Sequence, residues 1–145
     1  MADLIDAAIE AALLDAVDAF AVAQAITYVG KPNVQFRLPE KPTPQTKALR
    51  ATILPAPTVR RQIADDGEFY YSGLLQIDCF FGQGAGLNMT RLAAAVIAWF
   101  PPGKMLQLPE LAPQLQIVEK AYRSGVFDDL PWSFVPVRVP YQLYA

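Results

Sequence analysis

The sequence contains no histidine and a single cysteine, Cys79. Without histidine the chain lacks the usual general base, the usual proton shuttle and the commonest metal ligand. One cysteine excludes a disulfide within the chain. Because Cys79 lies in an apolar stretch, we expect it to be buried as a small hydrophobic residue. We therefore predict no catalytic residues, no cofactor and no metal ion.

Charged residues are also sparse, at 18% of the chain, with a net charge of −2. Neither end carries a basic run, whereas phosphate-neutralising patches and membrane-binding segments both need clustered lysine and arginine. We therefore predict neither direct nucleic-acid binding nor membrane attachment. The first twenty residues are acidic, unlike the start of a signal peptide, so we expect a cytosolic protein. Apolar residues make up 53% of the chain, which favours a subunit whose surface is partly covered by neighbours.

The most regular block in the chain covers residues 69–81, where side chains alternate with the period of a strand. One face is predicted to be the core face: Phe69, Tyr71, Gly73, Leu75, Ile77, Cys79 and Phe81. The other face is half polar but still contains Tyr70, Leu74 and Phe80. That face is either covered by the same chain, which we favour, or presented to a partner. At 145 residues we predict one domain, residues 1–145.

Two segments have the spacing of amphipathic helices, with apolar residues three and four apart. The first covers residues 3–26 and ends before Gly30 and Pro32. The second covers residues 87–100, with Asn88 or Thr90 near its start, and two prolines follow it. Each helix has one apolar stripe, so we predict an α+β fold: a largely antiparallel, mixed sheet with both helices packed on one face.

Several shorter segments are predicted strands. Residues 47–54 alternate between inward and outward side chains, and residues 33–37 form a shorter candidate. Residues 104–108 and 115–122 are weaker candidates, and residues 117–122 are also compatible with a helix.

The last predicted strand, residues 132–144, contains two prolines four residues apart. Pro136 and Pro140 would direct their missing N–H groups to the same side of the strand. We therefore predict that this is an edge strand, or one whose open side is blocked against pairing.

Two motifs resemble ligand sites without matching them. Residues 82–86 form a glycine-rich segment between a strand and a helix, but Leu87 occupies the place of the third glycine of a dinucleotide fingerprint, and the lysine of a phosphate-binding loop is missing. We interpret them as a tight turn.

Two groups of acids could in principle bind a cation, since hard cations prefer carboxylate oxygens. These are Asp65, Asp66 and Glu68, and the pair Asp128 and Asp129. Neither group has the spacing of a calcium loop, and we interpret them as solvated turn residues.

The order of these elements resembles that of the tail-terminator proteins of long-tailed bacteriophages and their prophage relatives. The acidic first helix and the second helix with its glycine turn carry the resemblance, together with segments 33–36, 51–55, 71–78, 93–101 and 135–141. The resemblance covers nearly the whole chain, although residues 106–115 do not fit the family pattern. It implies an α+β virion protein, with no catalytic activity, that forms a hexameric ring on the completed tail tube.

The resemblance also implies partners and a location. Such a ring stops tube polymerisation and offers the surface for head–tail joining, so the implied partners are other copies of the chain, the tail tube protein and the head–tail connector protein. Genome DNA would pass through the lumen without sequence-specific binding. The implied location is the host cytoplasm during assembly and then the neck region of the virion tail. The alternatives are another neck or tail component, such as a head-completion or tail-tube-like subunit, or a small-ligand-binding protein.

The long loop between the predicted strands that end at Leu54 and begin at Phe69 carries paired charges of opposite sign. The charged residues are Arg60, Arg61, Asp65, Asp66 and Glu68. Because a ring subunit needs two unlike surfaces that meet, we expect this loop to reach the next subunit. The other interpretations are that it lines the lumen of the ring or is simply solvated.

Overall fold

The computed structural model describes residues 2–60 and 69–145. In these ranges the chain forms two helices and nine strands. The helices are α1 (Ala2–Ala23) and α2 (Leu87–Trp99). The strands are β1 (Tyr28–Gly30), β2 (Lys47–Pro55), β3 (Val59–Arg60), β4 (Phe69–Gly82), β5 (Met105–Gln107), β6 (Gln114–Ile117), β7 (Tyr122–Arg123), β8 (Phe127–Asp129) and β9 (Trp132–Tyr144). Neither helix is long and apolar enough to cross a membrane.

The strands form one mixed sheet whose main order is β1-β2-β4-β9-β6-β5. The short strand β3 lies beside β4, and β7 and β8 lie beside β9. The two longest strands, β4 and β9, pair from Tyr70 opposite Tyr144 to Gly82 opposite Trp132. The β1–β2 pair is parallel, and the other described pairs are antiparallel. The predicted fold class, an α+β domain with a largely antiparallel sheet, is confirmed.

Both helices pack on the same face of this sheet, which we call the covered face. Their buried side chains form one core cluster with the odd-numbered residues of β4 and β9. The helices also contact each other, because the Trp99 indole N–H donates to the Ala16 carbonyl at 3.1 Å. The core face predicted for residues 69–81 is confirmed for Leu75, Ile77 and Cys79, each 0% exposed. Burial also raises the pKa of the Cys79 thiol.

Phe69 does not follow the core-face prediction, since it is 37% exposed. It lies at the first position of β4 and pairs with the end of the chain, where its N–H donates to the Ala145 carbonyl at 2.7 Å. The alternation along β4 assigns Phe69 to the same face as Tyr71. At the end of the strand, however, fewer side chains pack over that face.

The prediction that residues 132–144 form an edge strand is wrong. Strand β9 pairs with β4 on one side and with β6, β7 and β8 on the other. The second side is nevertheless interrupted at both prolines, where the carbonyls of Pro136 and Pro140 accept from the N–H groups of Ser124 and Val118. Because proline has no N–H, it cannot donate the second hydrogen bond of a strand pair at these two positions. The second side of β9 is therefore paired with three short strands and not with one long strand.

The predicted strand at residues 33–37 is also wrong. The strand in this region is β1, which begins five residues after α1 ends and runs parallel to β2. Helix α1 ends at Ala23, earlier than predicted, because Ala25 adopts a positive φ of 54° and the Ile26 N–H returns to the Ala21 carbonyl at 2.8 Å. Residues 31–46 then cross the sheet without regular structure.

The segments for which the sequence did not decide between strand and helix are mostly irregular. Residues 104–122 contain strands β5 and β6 and the start of β7, and residues 118–121 are neither helix nor strand, so the helical interpretation is wrong. The glycine turn before α2 is confirmed, with φ of 94° at Gly84 and 61° at Gly86. Gly86 is the N-cap residue of α2, and because it has no side chain it makes no side-chain hydrogen bond to the first turn.

Candidate interaction surface

The side of the sheet away from the helices, which we call the open face, carries the even-numbered side chains of β2, β4 and β9. Residues opposite each other on neighbouring strands point to the same face, so Arg50, Asp78 and Pro136 lie in one row. Thr52, Gln76 and Arg138 form the next row. These rows place a band of polar side chains across the centre of the open face.

The centre of the open face is a connected network built on Asp78. The carboxylate of Asp78 accepts from Arg50 Nε at 3.0 Å and Nη2 at 2.8 Å, and from Gln76 Nε2 at 3.1 Å. Gln76 Oε1 in turn accepts from Arg138 Nε at 3.3 Å. The Asp78 side chain is 1% exposed, whereas the Arg50 side chain is 44% exposed. The network therefore fixes three strands around a buried carboxylate whose cationic partner reaches solvent.

One end of the open face is covered by aromatic rings. Phe80 is 2% exposed and stacks on Phe134 with ring centroids 5.0 Å apart. Phe36 and Trp132 meet the Phe80 ring edge-on. The interpretation that the chain covers its own half-polar face is thus confirmed at Phe80. Residue 36, predicted to lie in a strand, instead supplies part of this cover.

Among the described residues, nothing encloses the rest of the open face. Tyr70 and Leu74 are only half-buried. Five large side chains on this face are 40–53% exposed: Leu54, Val59, Tyr122, Phe127 and Tyr144. They lie on β2, β3, β7, β8 and β9, around the polar centre. An apolar rim around a fixed polar group is the composition expected of a surface that meets another protein.

A cavity of about 520 Å³ lies on the other side of the sheet, beside the N-terminal half of α1. Its lining includes Asp6 and Glu10 of α1, Ile53 of β2, and the aromatic rings of Tyr71 and Tyr141. Burial, together with the negative charges of Asp6 and Glu10, raises the pKa of Tyr141 to about 12. Burial, together with Asp6, also raises the pKa of Tyr71. We call this feature the acidic cleft.

The acidic cleft depends on a glycine opposite Tyr141. Gly73 of β4 pairs directly with Tyr141 of β9, and the tyrosine ring lies over it. A Cβ atom at position 73 would lie 2.6 Å from the Tyr141 hydroxyl oxygen and 2.6 Å from the Leu54 carbonyl oxygen. Only glycine leaves room for this ring position. The cleft was not among the sites predicted from the sequence, although the four-residue spacing of the two acids on one helix face was a usable signal.

The model of one family, described as phage tail terminator protein, matches residues 5–141 of this sequence. The chain belongs to the phage tail terminator family. Membership gives the protein a structural role in the phage tail and a location in the virion tail. The resemblance drawn from the order of the sequence elements is thereby confirmed.

Two further comparisons concern single proteins. No curated protein sequence matches this family member. Among solved structures, one chain superposes with a TM-score of 0.71 and covers 99% of this chain and 95% of its own length. At 24% sequence identity this likeness establishes the shared fold alone.

The loop residues predicted to contact the next subunit mostly lie outside the described residues. This applies to Arg61, Asp65, Asp66 and Glu68, while Arg60 is the last residue of β3, opposite Phe69. Their role in the tail terminator protein therefore stays a prediction.

Of the acids considered as cation ligands, Asp128 and Asp129 lie in β8 and are exposed. The Ser133 hydroxyl donates to the Asp128 carboxylate at 2.7 Å. Within residues 2–60 and 69–145, no group of three or more potential ligands is placed to hold a metal ion.

Proposed function

We propose that this tail terminator protein caps the completed tail tube as a ring, stops tube polymerisation and provides the head–tail joining surface. Family membership supports a role in the tail. The observation that supports a ring is the open face, where exposed apolar side chains surround a rigid, charged centre. A subunit that meets its neighbour through this face would bury the exposed rim and keep the polar network intact.

The proposed contact is heterologous: the open face of one subunit meets a different surface of the next, and rotation closes the ring. The apolar rim would supply most of the association free energy, because burial of apolar area is the main favourable term. The half-exposed Arg50 guanidinium is held in place by Asp78, so it would set the orientation of the neighbour more than the strength of binding. We propose a hexamer, in line with the expectation from the sequence.

The proposed partners follow from this position in the virion. One surface of the ring would contact the last ring of the tail tube protein, and the opposite surface would contact the head–tail connector protein. Genome DNA would pass through the lumen without sequence-specific contacts, which agrees with the net charge of −2. Assembly would take place in the host cytoplasm before the tail joins the head.

The charged loop remains part of the proposal. We place Arg60, Arg61, Asp65, Asp66 and Glu68 at the boundary between neighbouring subunits, on the sequence evidence of paired opposite charges. The start of the loop supports this position, because β3 adds to the open face beside β4 through Val59 opposite Tyr70.

The decisive experiment compares an open-face variant with a matched variant elsewhere. We expect Phe127→Glu to leave the subunit folded, since Phe127 is 51% exposed, and to abolish the ring by placing a carboxylate in the apolar rim. Val22→Glu is the control, because Val22 is an 82% exposed apolar residue of α1. Sedimentation velocity measures the oligomer, circular dichroism measures folding, and electron microscopy with polymerised tube protein shows whether tube ends are capped.

Three outcomes would contradict the proposal. The first is a wild-type protein that remains monomeric with and without tubes. The second is a Phe127→Glu variant that forms rings as well as Val22→Glu does. The third is a ring that binds along the sides of tubes but not at their ends, which would indicate another neck or tail component.

The loop needs a separate test with charge reversal. We expect Arg60→Glu combined with Arg61→Glu to preserve folding, since exposed charges contribute little to stability. If the loop crosses to the next subunit, the double variant should form fewer rings, and its assembly should respond differently to ionic strength than that of the wild type. Equal ring populations at low and moderate salt would place the loop away from the subunit boundary.

A further inference from the structure

The acidic cleft is a second surface, independent of the open face, in which two carboxylates and two tyrosine hydroxyls have no recorded partner among the described residues. Tyr71 and Tyr141 are 5% and 3% exposed, and both rings line the cavity. No hydrogen bond to either hydroxyl is recorded among the described residues, and because no fully buried side-chain oxygen in these ranges lacks a partner, both hydroxyl oxygens must open into the cavity. Two nearly buried tyrosine rings that direct accessible hydroxyls into a cavity therefore offer hydrogen-bonding positions to a ligand.

The charge of the cleft specifies the kind of ligand. Asp6 and Glu10 are exposed residues four apart on α1, so their carboxylates lie on the same side of the helix above the tyrosine rings. Within the described ranges neither carboxylate forms an ion pair; the two recorded ion pairs are Lys31 with Asp18 and Arg50 with Asp78. A cationic group with several N–H donors, such as an ammonium or a guanidinium, would satisfy the carboxylates and the hydroxyl oxygens together.

The cleft also lies against an open strand edge. Strand β1 pairs with β2 only as far as Gly30 opposite Arg50, and in the described part of the chain nothing pairs with the same edge from Ala51 to Pro55. The next residues after β1 are Lys31 and Pro32, and proline has no N–H with which to continue the pairing.

The direction of the Ile53 main chain follows from the pairing of β2 with β4. The N–H of Ala56 donates to the Ser72 carbonyl of β4 at 2.9 Å. In an antiparallel pair the direction of main-chain groups alternates, so the N–H and C=O of Ile53 point away from β4, toward the open edge. Ile53 and Pro55 both line the acidic cleft. A main chain that paired with this edge would therefore lie directly beside the carboxylates.

We propose that the acidic cleft binds an extended segment of another protein, which pairs with the open edge of β2 and places a lysine or arginine side chain among Asp6, Glu10, Tyr71 and Tyr141. Main-chain hydrogen bonds to a strand edge give such binding its affinity, and the side-chain pocket gives it specificity. This site is separate from the proposed ring contact, because it lies on the covered side of the sheet and uses none of the rim residues.

The charges of this chain favour another protein over a second copy. Five of its described basic side chains are engaged within the subunit: Lys31 with Asp18, Lys47 with the Gln24 carbonyl, Arg50 with Asp78, Arg138 with Gln76 and Lys104 with the Trp99 carbonyl. Arg91, Lys120 and Arg123 are exposed, but Arg91 lies in helix α2 and Arg123 lies in β7, which already pairs with β9. Arg37 and Lys41 are exposed, but they lie in a segment interrupted by Pro39, Pro42 and Pro44, which cannot supply the N–H groups that a strand edge requires.

The test uses a capped synthetic peptide, acetyl-Val-Thr-Lys-Thr-Val-amide, titrated into the purified protein by calorimetry at low ionic strength. We expect the peptide to bind, and replacement of its lysine by norleucine to weaken binding about tenfold or more. A peptide methylated at alternate main-chain nitrogens keeps the charge but cannot pair with β2, so it should also lose binding. The wild-type affinity should fall as salt is added.

Matched protein variants locate the site. Asp6→Asn combined with Glu10→Gln should weaken binding of the lysine peptide about tenfold or more without affecting the norleucine peptide. Asp15→Asn is the control, since Asp15 is an exposed acid of the same helix that does not line the cleft. Tyr141→Phe should weaken binding and leave ring formation unchanged.

The proposal is overturned if the wild type does not bind the lysine peptide, or if the lysine and norleucine peptides bind equally. Equal loss of binding in Asp15→Asn and in the double variant would also overturn it, as would undiminished binding of the methylated peptide. Self-association of the wild type that the double variant abolishes would assign the cleft to a second copy, contrary to the proposal. The ring assay has no bearing on these results, so failure of either proposal can be recognised separately.

Discussion

The two faces of the sheet are built from alternate residues of the same strands, yet they exclude water in different ways. On the covered face, Ile77 is 0% exposed beneath apolar side chains of the two helices. One residue further along β4, Asp78 is 1% exposed on the open face, where Arg50 and Gln76 satisfy its carboxylate. Ile77 and Asp78 are thus almost equally buried. Ile77 is buried by apolar side chains, whereas Asp78 is buried within a charged hydrogen-bond network.

This difference separates what folds the subunit from what the subunit presents. The covered face forms one continuous core with both helices, and its central side chains are buried within a single chain. The open face has its own small apolar cluster around Phe80 and Trp132, but the remaining rim is left exposed. We infer that the first face supplies most of the free energy of folding, and that the second leaves apolar area available for association.

The largest expected effect comes from placing a charge on each face of the same strand. We expect Ile77→Asp to unfold the domain, because an unpaired carboxylate in the core costs several kcal/mol, on the order of the whole stability. Leu74→Asp is the matched change on the open face, where Leu74 is half-buried, and it should cost roughly 1–2 kcal/mol. Thermal unfolding followed by circular dichroism measures both. Equal melting temperatures for the two variants would remove the proposed difference between the faces.

A smaller effect is expected from dividing the Arg50–Asp78 pair. Arg50→Ala leaves a nearly inaccessible carboxylate without its cation, so we expect a loss of about 3 kcal/mol in the free energy of unfolding. Asp78→Ala leaves a guanidinium that is already 44% exposed and can turn to water, so its cost should be about 1–2 kcal/mol. Urea unfolding of both single variants and the double variant gives the values. A costlier Asp78→Ala would show that Asp78 acts mainly through its other contacts.

The sequence predicted the covered face well, because its signals are periodic. Alternation along residues 47–54 and 69–81 was sufficient to predict strands β2 and β4 and their core residues. The single apolar stripe of each helix was sufficient to place both helices on this face. The position of β9 could not be predicted in the same way. Pro136 and Pro140 correctly indicated a side that cannot carry a continuous ladder, but nothing local showed that three short strands would fill the remaining places.

The open face and the acidic cleft were harder to predict because they depend on contacts between distant segments. The pairing of Arg50 with Asp78 requires the register of β2 against β4, and Phe36 reaches Phe80 only because residues 31–46 cross the sheet. The cleft requires Gly73 opposite Tyr141, together with α1 above them. The residues of such sites come from separate segments and follow no periodic pattern. The sequence therefore indicated that one face of the sheet could meet a partner, but it did not identify the Arg50–Asp78 network at the centre of that face.

The smallest expected effect concerns the edge of the covered face, where burial is tested by alkaline pH. The pKa of Tyr141 is raised from 10.0 to about 12 in the folded protein by burial and by the negative charges of Asp6 and Glu10. Below pH 10 both states keep the proton, so the contribution of Tyr141 to stability is fully present. Between pH 10 and 12 the unfolded state releases its proton first, so this contribution is lost as pH rises, by roughly 3 kcal/mol in total.

Tyr141→Phe removes this titration and should therefore flatten the decline in stability at high pH. At neutral pH the substitution should cost little, because the hydroxyl opens into the acidic cleft and no hydrogen bond to it is recorded among the described residues. Urea unfolding followed by tryptophan fluorescence from about pH 8 to about pH 12 measures the difference between the two proteins. Tyr71 and Cys79 also have raised pKa values and remain in the variant, so some decline should persist. Identical slopes for both proteins would show that water reaches the Tyr141 hydroxyl freely, and that the covered face ends before the acidic cleft.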